Sequence, residues 1–210
     1  TMKLVRLTIA ALAITLATAT SAGALENLPT PRAMTAVSYN TNAAKDVRVI
    51  GDSISWLDQP AYYAYAFGSA GWGTTVHSLW GANMIEHRVN WGSFAKAAAS
   101  TKTKAVVVAL GTNDLSDIRL SRPDWSSQLQ KVFNEATSAS KTLSAAKKCT
   151  LFWTASTESP GHDASVARAY NLHLVSLSMK TPGVFLADYD ALVRTNATYR
   201  KGLFPLTGTL

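Results

Sequence analysis

The sequence is poor in the residues that disulfide frameworks and metal sites require. It has one cysteine, Cys149, and four histidines in 210 residues. A single cysteine excludes a disulfide within the chain and a cysteine-based zinc site. Cys149 opens an apolar run and no histidine motif accompanies it, so we expect a buried, inert thiol rather than a catalytic one.

Charge is also sparse along the chain. Charged residues make up 16% of it, and Lys plus Arg exceed Asp plus Glu by 20 to 13, which gives a net charge of +7. The only adjacent basic pairs are Lys147-Lys148 and Arg200-Lys201. Without a dense basic cluster interleaved with aromatic residues, nucleic-acid binding has no support. The hydrophobic fraction of 47% is typical of one globular domain and too high for a disordered chain.

Residues 1–24 have the pattern of a secretory signal peptide. Lys3 and Arg6 precede an uncharged run over 7–20, and Ser21-Ala22-Gly23-Ala24 offers an A-x-A cleavage site after Ala24. The run is short for a bilayer span, although an N-terminal membrane anchor stays open as the alternative. We therefore predict a protein that is secreted or held in the cell envelope, with no stable membrane span after cleavage.

Beyond the leader, strand-like and helix-like segments alternate. Residues 25–46 contain two prolines and several Asn and Thr with little periodicity, and we interpret them as a flexible lead-in. The rest of the chain, 47–210, predicts one α/β domain in which a five-stranded parallel sheet is covered by helices on both faces. The expected strands are 47–50, 74–78, 105–110, 151–154 and 184–188, and helical periodicity runs through 59–67, 91–98, 125–143 and 166–177.

A serine follows the first predicted strand, in Gly51-Asp52-Ser53. Ligands of parallel α/β sheets bind outside the carboxyl ends of the strands. Ser53 is therefore well placed as a nucleophile, and its backbone N–H could face a developing oxyanion. Asp and Ser are also common in turns that precede helices, so a capping role for Ser53 stays open. We expect Asp52 to shape the turn rather than to act chemically.

Two further groups follow the second and third predicted strands. Asn113, in Gly111-Thr112-Asn113-Asp114, can donate a side-chain hydrogen bond to the same oxyanion, although Asn-Asp also suits a plain turn. Gly81 has no side chain to keep a ligand from its backbone N–H, although it also fits an ordinary loop. Because the strands are parallel, we expect Ser53, Gly81 and Asn113 to meet at one edge of the sheet.

Together these motifs resemble the SGNH (GDSL) hydrolase family over nearly all of residues 47–188. The resemblance implies a flavodoxin-like three-layer sandwich with Ser53 as the nucleophile. It also implies an oxyanion hole made by the Ser53 and Gly81 backbone N–H groups and the Asn113 side chain. The implied reaction is hydrolysis or transfer of acyl esters, without a cofactor or a metal. The substrates implied are acetylated sugars, lipid esters and other small acyl esters.

The sequence departs from this family at the general base. The family supplies the base from an Asp-x-x-His motif near the C-terminus, whereas the corresponding stretch here has Lys201 in place of the aspartate and Phe204 in place of the histidine. His162, directly followed by Asp163, is the candidate substitute, and a surface loop histidine is the alternative. The remaining histidines are expected to be structural or exposed.

We therefore predict an exported serine esterase that acts through an acyl-serine intermediate on a small acyl ester or an acylated glycan or lipid. Its competence depends on which group replaces the missing histidine. Two alternatives stay open. One is a catalytically inactive envelope protein that binds a glycan or an ester in the same cleft. The other is an O-acyltransferase on the same scaffold, because hydrolases and transferases share the acyl-serine step.

Overall fold

The computed structural model describes residues 35–52, 61–79, 81–85, 94–95 and 98–196. Within them, six strands form one sheet in the order β1-β3-β2-β4-β5-β6. All neighbouring strands are parallel except β1, which is antiparallel to β3. The strands are β1 Thr35–Tyr39, β2 Lys45–Gly51, β3 Trp72–Ser78, β4 Thr103–Ala109, β5 Cys149–Trp153 and β6 Val184–Ala187.

The five predicted strands correspond to β2–β6, and the α/β fold is confirmed. In sequence order their arrangement is 2-1-3-4-5, the flavodoxin-like order of doubly wound sheets. The apolar run in β4 lies at the centre, where Val106, Val107 and Val108 are at most 1% exposed. A strand that is buried on both faces needs apolar side chains at successive positions, which explains the unbroken run.

The interpretation of residues 25–46 as a flexible lead-in is wrong for 35–39 and for the start of β2. Residues 35–39 form β1, whose pairing with β3 runs from Thr35 opposite Ser78 to Tyr39 opposite Thr74. Ala36, Val37 and Ser38 of this edge strand are exposed, so β1 has no continuous buried apolar run of the kind that marks the central strands in the sequence. The predicted signal peptide, 1–24, lies outside the described residues.

Helices cover both faces of the sheet. The described helices are α1 Ala61–Gly68, α2 Thr112–Asp117, α3 Trp125–Ala145, α4 Ala164–Lys180 and α5 Tyr189–Thr195. The predicted helical segments at 59–67, 125–143 and 166–177 correspond to α1, α3 and α4, whereas α2 and α5 are short additions. In the predicted helical segment 91–98, Phe94, Ala95 and Ala98 are also helical, whereas Trp91 lies outside the described residues.

Two apolar clusters, one on each face of the sheet, lie between the sheet and the helices and so give a three-layer structure. On one face, α3 and α4 contribute Leu129, Val132 and Leu174 to a cluster that includes Val108 of β4. On the other face, α1 packs Tyr63 and Phe67 against a smaller cluster from β2, β3 and β4. Because each face is covered, the open edge at the carboxyl ends of the strands is left for polar loops.

Two further observations concern expectations made from the sequence. Cys149 is exposed at the first position of β5, so the expectation of a buried thiol is wrong: in the run that it opens, the buried residues are Thr150 and Phe152. Within the described ranges, no helix is both long enough and apolar enough to cross a bilayer.

Candidate active site

The predicted nucleophile, Ser53, lies outside the described residues, which stop at Asp52 on this side of the chain. Asp52 directly follows β2 and is only 1% exposed. The end of β2 is tied to the loop after β3, because the Leu79 N–H donates to the Gly51 carbonyl at 3.2 Å. The β2 and β3 loops therefore lie side by side, as the parallel sheet predicts.

Asn113 lies in the first turn of α2, directly after β4, and connects to both of these loops. Its Nδ2 donates to the Ala82 carbonyl at 3.0 Å and makes a longer contact of 3.4 Å with Asp52 Oδ2. Both partners are acceptors, which fixes the side of the amide that carries the nitrogen. The alternative of a plain turn is wrong, because Thr112–Asp117 is helical.

Gly81 lies in a tight turn just before Ala82. The Ala82 N–H donates to the Leu79 carbonyl at 3.1 Å, and Gly81, the third residue of this turn, has φ 67°. A positive φ at the third position of a β-turn favours glycine. The turn thus explains why a glycine stands here and holds it within one residue of the Asn113 contact.

Asp114 is a site residue that the sequence did not single out. It is 2% exposed, and its carboxylate accepts the Met84 N–H at 2.7 Å and the Ile85 N–H at 3.2 Å. Burial raises its pKa to about 6, against the lowering effect of these two hydrogen bonds. Because its partners are backbone groups of another loop, only the folded structure reveals the role. Asn113 and Asp114 together pin α2 to the loop 81–85.

The first residue before α2 also has a strict requirement. Gly111 has φ 115°, and a Cβ at this position would lie 3.1 Å from Tyr170 Oη and 3.2 Å from its Cζ. Tyr170 is fully buried on α4, and burial raises the pKa of its phenol. The close approach of Gly111 to this ring sets where α2, and with it Asn113, begins.

The candidate base, His162, is buried in the loop before α4. Its Nε2 lies 2.6 Å from the Ser156 carbonyl, so Nε2 carries the proton and Nδ1 is the free acceptor of the neutral ring. Nδ1 has no hydrogen-bond partner among the described residues. Burial lowers the pKa of His162, which keeps the ring neutral near pH 7. A surface loop histidine is therefore excluded.

Asp163, which directly follows His162, forms its hydrogen bonds with Ser165 and not with the imidazole. Asp163 is the N-cap of α4, and its carboxylate accepts the backbone N–H of Ser165 at 2.8 Å and the Ser165 hydroxyl at 2.6 Å. These hydrogen bonds lower the pKa of Asp163. Adjacent side chains diverge at a helix start, and here the carboxylate closes the first turn instead of meeting the imidazole.

The other histidines that the structure describes have structural contacts. His173 stacks on Phe133 with ring centroids 4.2 Å apart and lies 3.1 Å from Thr137 Oγ1. His77 on β3 packs edge-to-face against Phe94. His87 and the stretch 201–208, where Lys201 and Phe204 replace the expected acid and base, lie outside the described residues. No cluster of His, Cys, Asp and Glu among the described side chains could hold a metal ion.

No protein-family model and no curated protein matches this sequence. Solved structures do match the fold. The esterase EstA from Pseudoalteromonas sp. is 14% identical, with 73% of this chain and 82% of that chain covered and a TM-score of 0.52. TesA is 16% identical, with 64% and 73% covered and a TM-score of 0.51. A variant of Axe2, an acetyl-xylooligosaccharide esterase from Geobacillus, is 14% identical, with 73% and 82% covered and a TM-score of 0.51.

At these identities the likeness concerns the fold. The described part of this chain therefore has the α/β fold of the esterases EstA and Axe2, which is the fold that the resemblance to the SGNH hydrolases implies.

Proposed function

We propose that this chain is an exported serine ester hydrolase of the SGNH type. The observation that carries the proposal is the hydrogen-bonded meeting of three loops, in which Asn113 on α2 reaches both Ala82, next to Gly81, and Asp52, next to Ser53. The fold shared with EstA and Axe2 supports it. Export rests on the leader pattern over 1–24.

In this proposal, Ser53 Oγ attacks the acyl carbonyl carbon, and the serine proton passes to a general base. The carbonyl oxygen becomes an oxyanion that accepts hydrogen bonds from the Ser53 and Gly81 backbone N–H groups and from Asn113 Nδ2. The C–O bond to the alcohol then breaks, the base returns the proton to the departing alcohol, and an acyl-serine remains. Water attacks this ester in the same way and releases the acid.

The geometry of Asn113 suits the role of oxyanion donor. One N–H of its amide is anchored by the Ala82 carbonyl at 3.0 Å, which fixes the orientation of the group. Among the described residues, the second meets Asp52 Oδ2 at 3.4 Å, a distance at which hydrogen bonding is weak. A substrate oxyanion at a normal hydrogen-bond distance would compete well for this N–H.

His162 is the candidate for the general base. Nε2 is held by the Ser156 carbonyl, so the serine proton would have to pass to Nδ1, which is buried and has no partner among the described residues. The residue next to His162, Gly161, lies near Ser116 on α2, where its Cβ would be 3.5 Å from Ser116 Oγ. The loop of His162 therefore packs against the helix that carries Asn113.

The proposal is tested by p-nitrophenyl acetate hydrolysis with residues 25–210. We expect Ser53→Ala to lower kcat/KM by about 10⁴-fold or more, as in other serine enzymes that lose the nucleophile. Ser55→Ala is the matched control, because it removes a hydroxyl from the same Gly-Asp-Ser-Ile-Ser segment, and it should retain activity. If His162 is the base, the single variant His162→Gln should lose activity as Ser53→Ala does.

A reagent that needs no turnover separates a weak enzyme from a binding protein. EstA has been solved inhibited by monoethylphosphonate. We expect a p-nitrophenyl phosphonate ester to modify Ser53, with loss of p-nitrophenol, and mass spectrometry of the labelled peptide locates the adduct. Equal rates of hydrolysis by the parent chain and Ser53→Ala, together with no adduct, would contradict the proposal that this chain is a serine esterase. It would favour the inactive glycan- or ester-binding alternative.

A further inference from the structure

A cavity of about 340 Å³ lies directly beside the candidate site. One wall is formed by Asn83, Ile85 and Asp114, and the other by the end of α2, the α2–α3 connection and the start of α3. Asn83 follows Ala82, whose carbonyl anchors Asn113, and Asp114 follows Asn113 itself. The cavity therefore begins two residues from Gly81 on one wall and one residue from Asn113 on the other.

The lining is a network of planar polar side chains around one aromatic ring. Asn83 Nδ2 donates to Asp117 Oδ2 at 2.9 Å. Asp124 accepts Arg122 Nε at 3.2 Å and Gln128 Nε2 at 3.2 Å. Trp125 is 36% exposed at the start of α3 and presents apolar ring surface to the same space.

The chemistry of this lining restricts what it could bind. Among the lining residues that the structure describes, Ile85, Ile118 and Trp125 are the apolar ones, which is little for a long acyl chain. Three acidic and two basic side chains line the cavity, and part of this charge is paired internally, which disfavours a strongly charged ligand. A neutral, hydroxyl-rich ligand can both donate to the carboxylates and accept from the amide and guanidinium groups. Its C–H faces can also lie against the indole.

We propose that this cavity is a subsite for a sugar unit on the alcohol side of the ester, and that the chain acts on acylated carbohydrates. The inference rests on the proposed function, because it places the ester carbonyl at Gly81 and Asn113. The volume of the cavity is at the lower end of the range for ligand pockets, which span about 300–1,000 Å³. The subsite therefore suits a short saccharide segment.

The test compares the hydrolysis of two singly acetylated disaccharides, one made from xylobiose and one from cellobiose, with the hydrolysis of p-nitrophenyl acetate. We expect Trp125→Ala and Gln128→Ala each to lower the ratio of kcat/KM for the disaccharide over p-nitrophenyl acetate by about tenfold, mainly through KM. Trp125→Phe keeps an aromatic face and should retain most of the ratio. Phe185→Ala is the matched control, because Phe185 is an exposed aromatic residue of β6 that does not line the cavity.

An unchanged ratio in both Trp125→Ala and Gln128→Ala would overturn the subsite while leaving the esterase intact. A parent chain that hydrolyses neither substrate would contradict the proposed function, and calorimetric titration with unmodified xylobiose and cellobiose would then decide the subsite alone. Binding that is lost in Trp125→Ala and kept in Phe185→Ala would support it. No binding by the parent chain would overturn it.

Discussion

At the scale of single residues, the two N–H groups of Asn113 have unequal partners, and this difference predicts a kinetic effect. The anchored N–H orients the amide, and the other is available for charge that develops only in the transition state. We expect Asn113→Ala to lower kcat for p-nitrophenyl acetate by about 10²- to 10³-fold, the range found for a lost oxyanion donor.

The control for Asn113 is Asn134→Ala, which removes an exposed amide of α3 whose described contact is with Gln130. It should leave kcat unchanged. Urea denaturation of both variants separates a catalytic loss from unfolding. A loss in Asn113→Ala that appears in KM alone, with kcat retained, would contradict the oxyanion role, because binding of the ground state would then be what Asn113 provides.

Asp114 makes a prediction about stability rather than rate. Burial raises its pKa to about 6 from an ordinary value of 3.8, so the folded chain holds this proton more tightly than the unfolded chain does. The resulting contribution to the free energy of unfolding is fully present below pH 3.8 and is lost as the pH rises through about 6. A shift of this size corresponds to about 3 kcal/mol.

Urea denaturation between pH 4 and pH 7.5 checks this, with Asp114→Asn as the variant that cannot titrate. We expect the free energy of unfolding of the parent chain to decrease with pH relative to the variant, most steeply midway between pH 3.8 and about 6. Asparagine can accept only one of the Met84 and Ile85 N–H groups well, so the variant should be less stable than the parent chain, and the difference should be smallest at high pH. Parallel curves would mean that Asp114 titrates normally in the folded chain.

At the scale of elements, the position of α2 depends on the close approach of Gly111 to Tyr170. Alanine at 111 would combine an unfavourable positive φ with a contact against a ring that is fully buried. We expect Gly111→Ala to destabilise the chain by about 1–3 kcal/mol and to reduce esterase activity, because α2 carries Asn113.

Gly68→Ala is the matched control for this prediction. Gly68 ends α1, has no positive φ, and its Cβ would meet no atom within 4 Å. We expect it to be neutral or slightly stabilising, because alanine is the better helix former. Chemical denaturation of the two variants measures the difference, and equal stability would show that α2 can move to accommodate a side chain at 111.

The elements differ in how well the sequence predicts them, for physical reasons. The central strand β4 and the helix α3 bury continuous or periodic apolar surface, so their patterns are readable. The helix α2 has only six residues and is positioned by Gly111 and by hydrogen bonds to other loops, so periodicity cannot mark it. The strand β1 is held by backbone pairing, with Ser38 Oγ 3.1 Å from Thr75 Oγ1 as an added contact, and Val37 and Tyr39 on one of its faces are not buried.

At the scale of the whole molecule, parallel strands explain which parts of the site were predictable. Each motif that follows a strand must emerge at the same edge, so the proximity of Asp52, Gly81 and Asn113 could be inferred from their order alone. The bonds that fix their spacing could not, since Asn113 and Asp114 make their shorter hydrogen bonds to backbone groups of Ala82, Met84 and Ile85, which carry no residue-type signature. The general base is the remaining gap, because the sequence offers His162 without the motif that would identify it.

The edge strand β1, which the sequence did not predict, leads to a prediction about the whole sheet. Without β1, the backbone N–H and C=O groups of β3 that face it would be unpaired, and an exposed parallel edge promotes association between copies. We expect residues 44–210, which lack β1, to have a lower urea denaturation midpoint and a greater tendency to self-associate than residues 25–210. Residues 31–210 are the control, because they keep β1 and should behave like 25–210. Equal midpoints and equal sedimentation for 44–210 and 31–210 would mean that β1 adds nothing to the sheet, as the interpretation of a flexible lead-in requires.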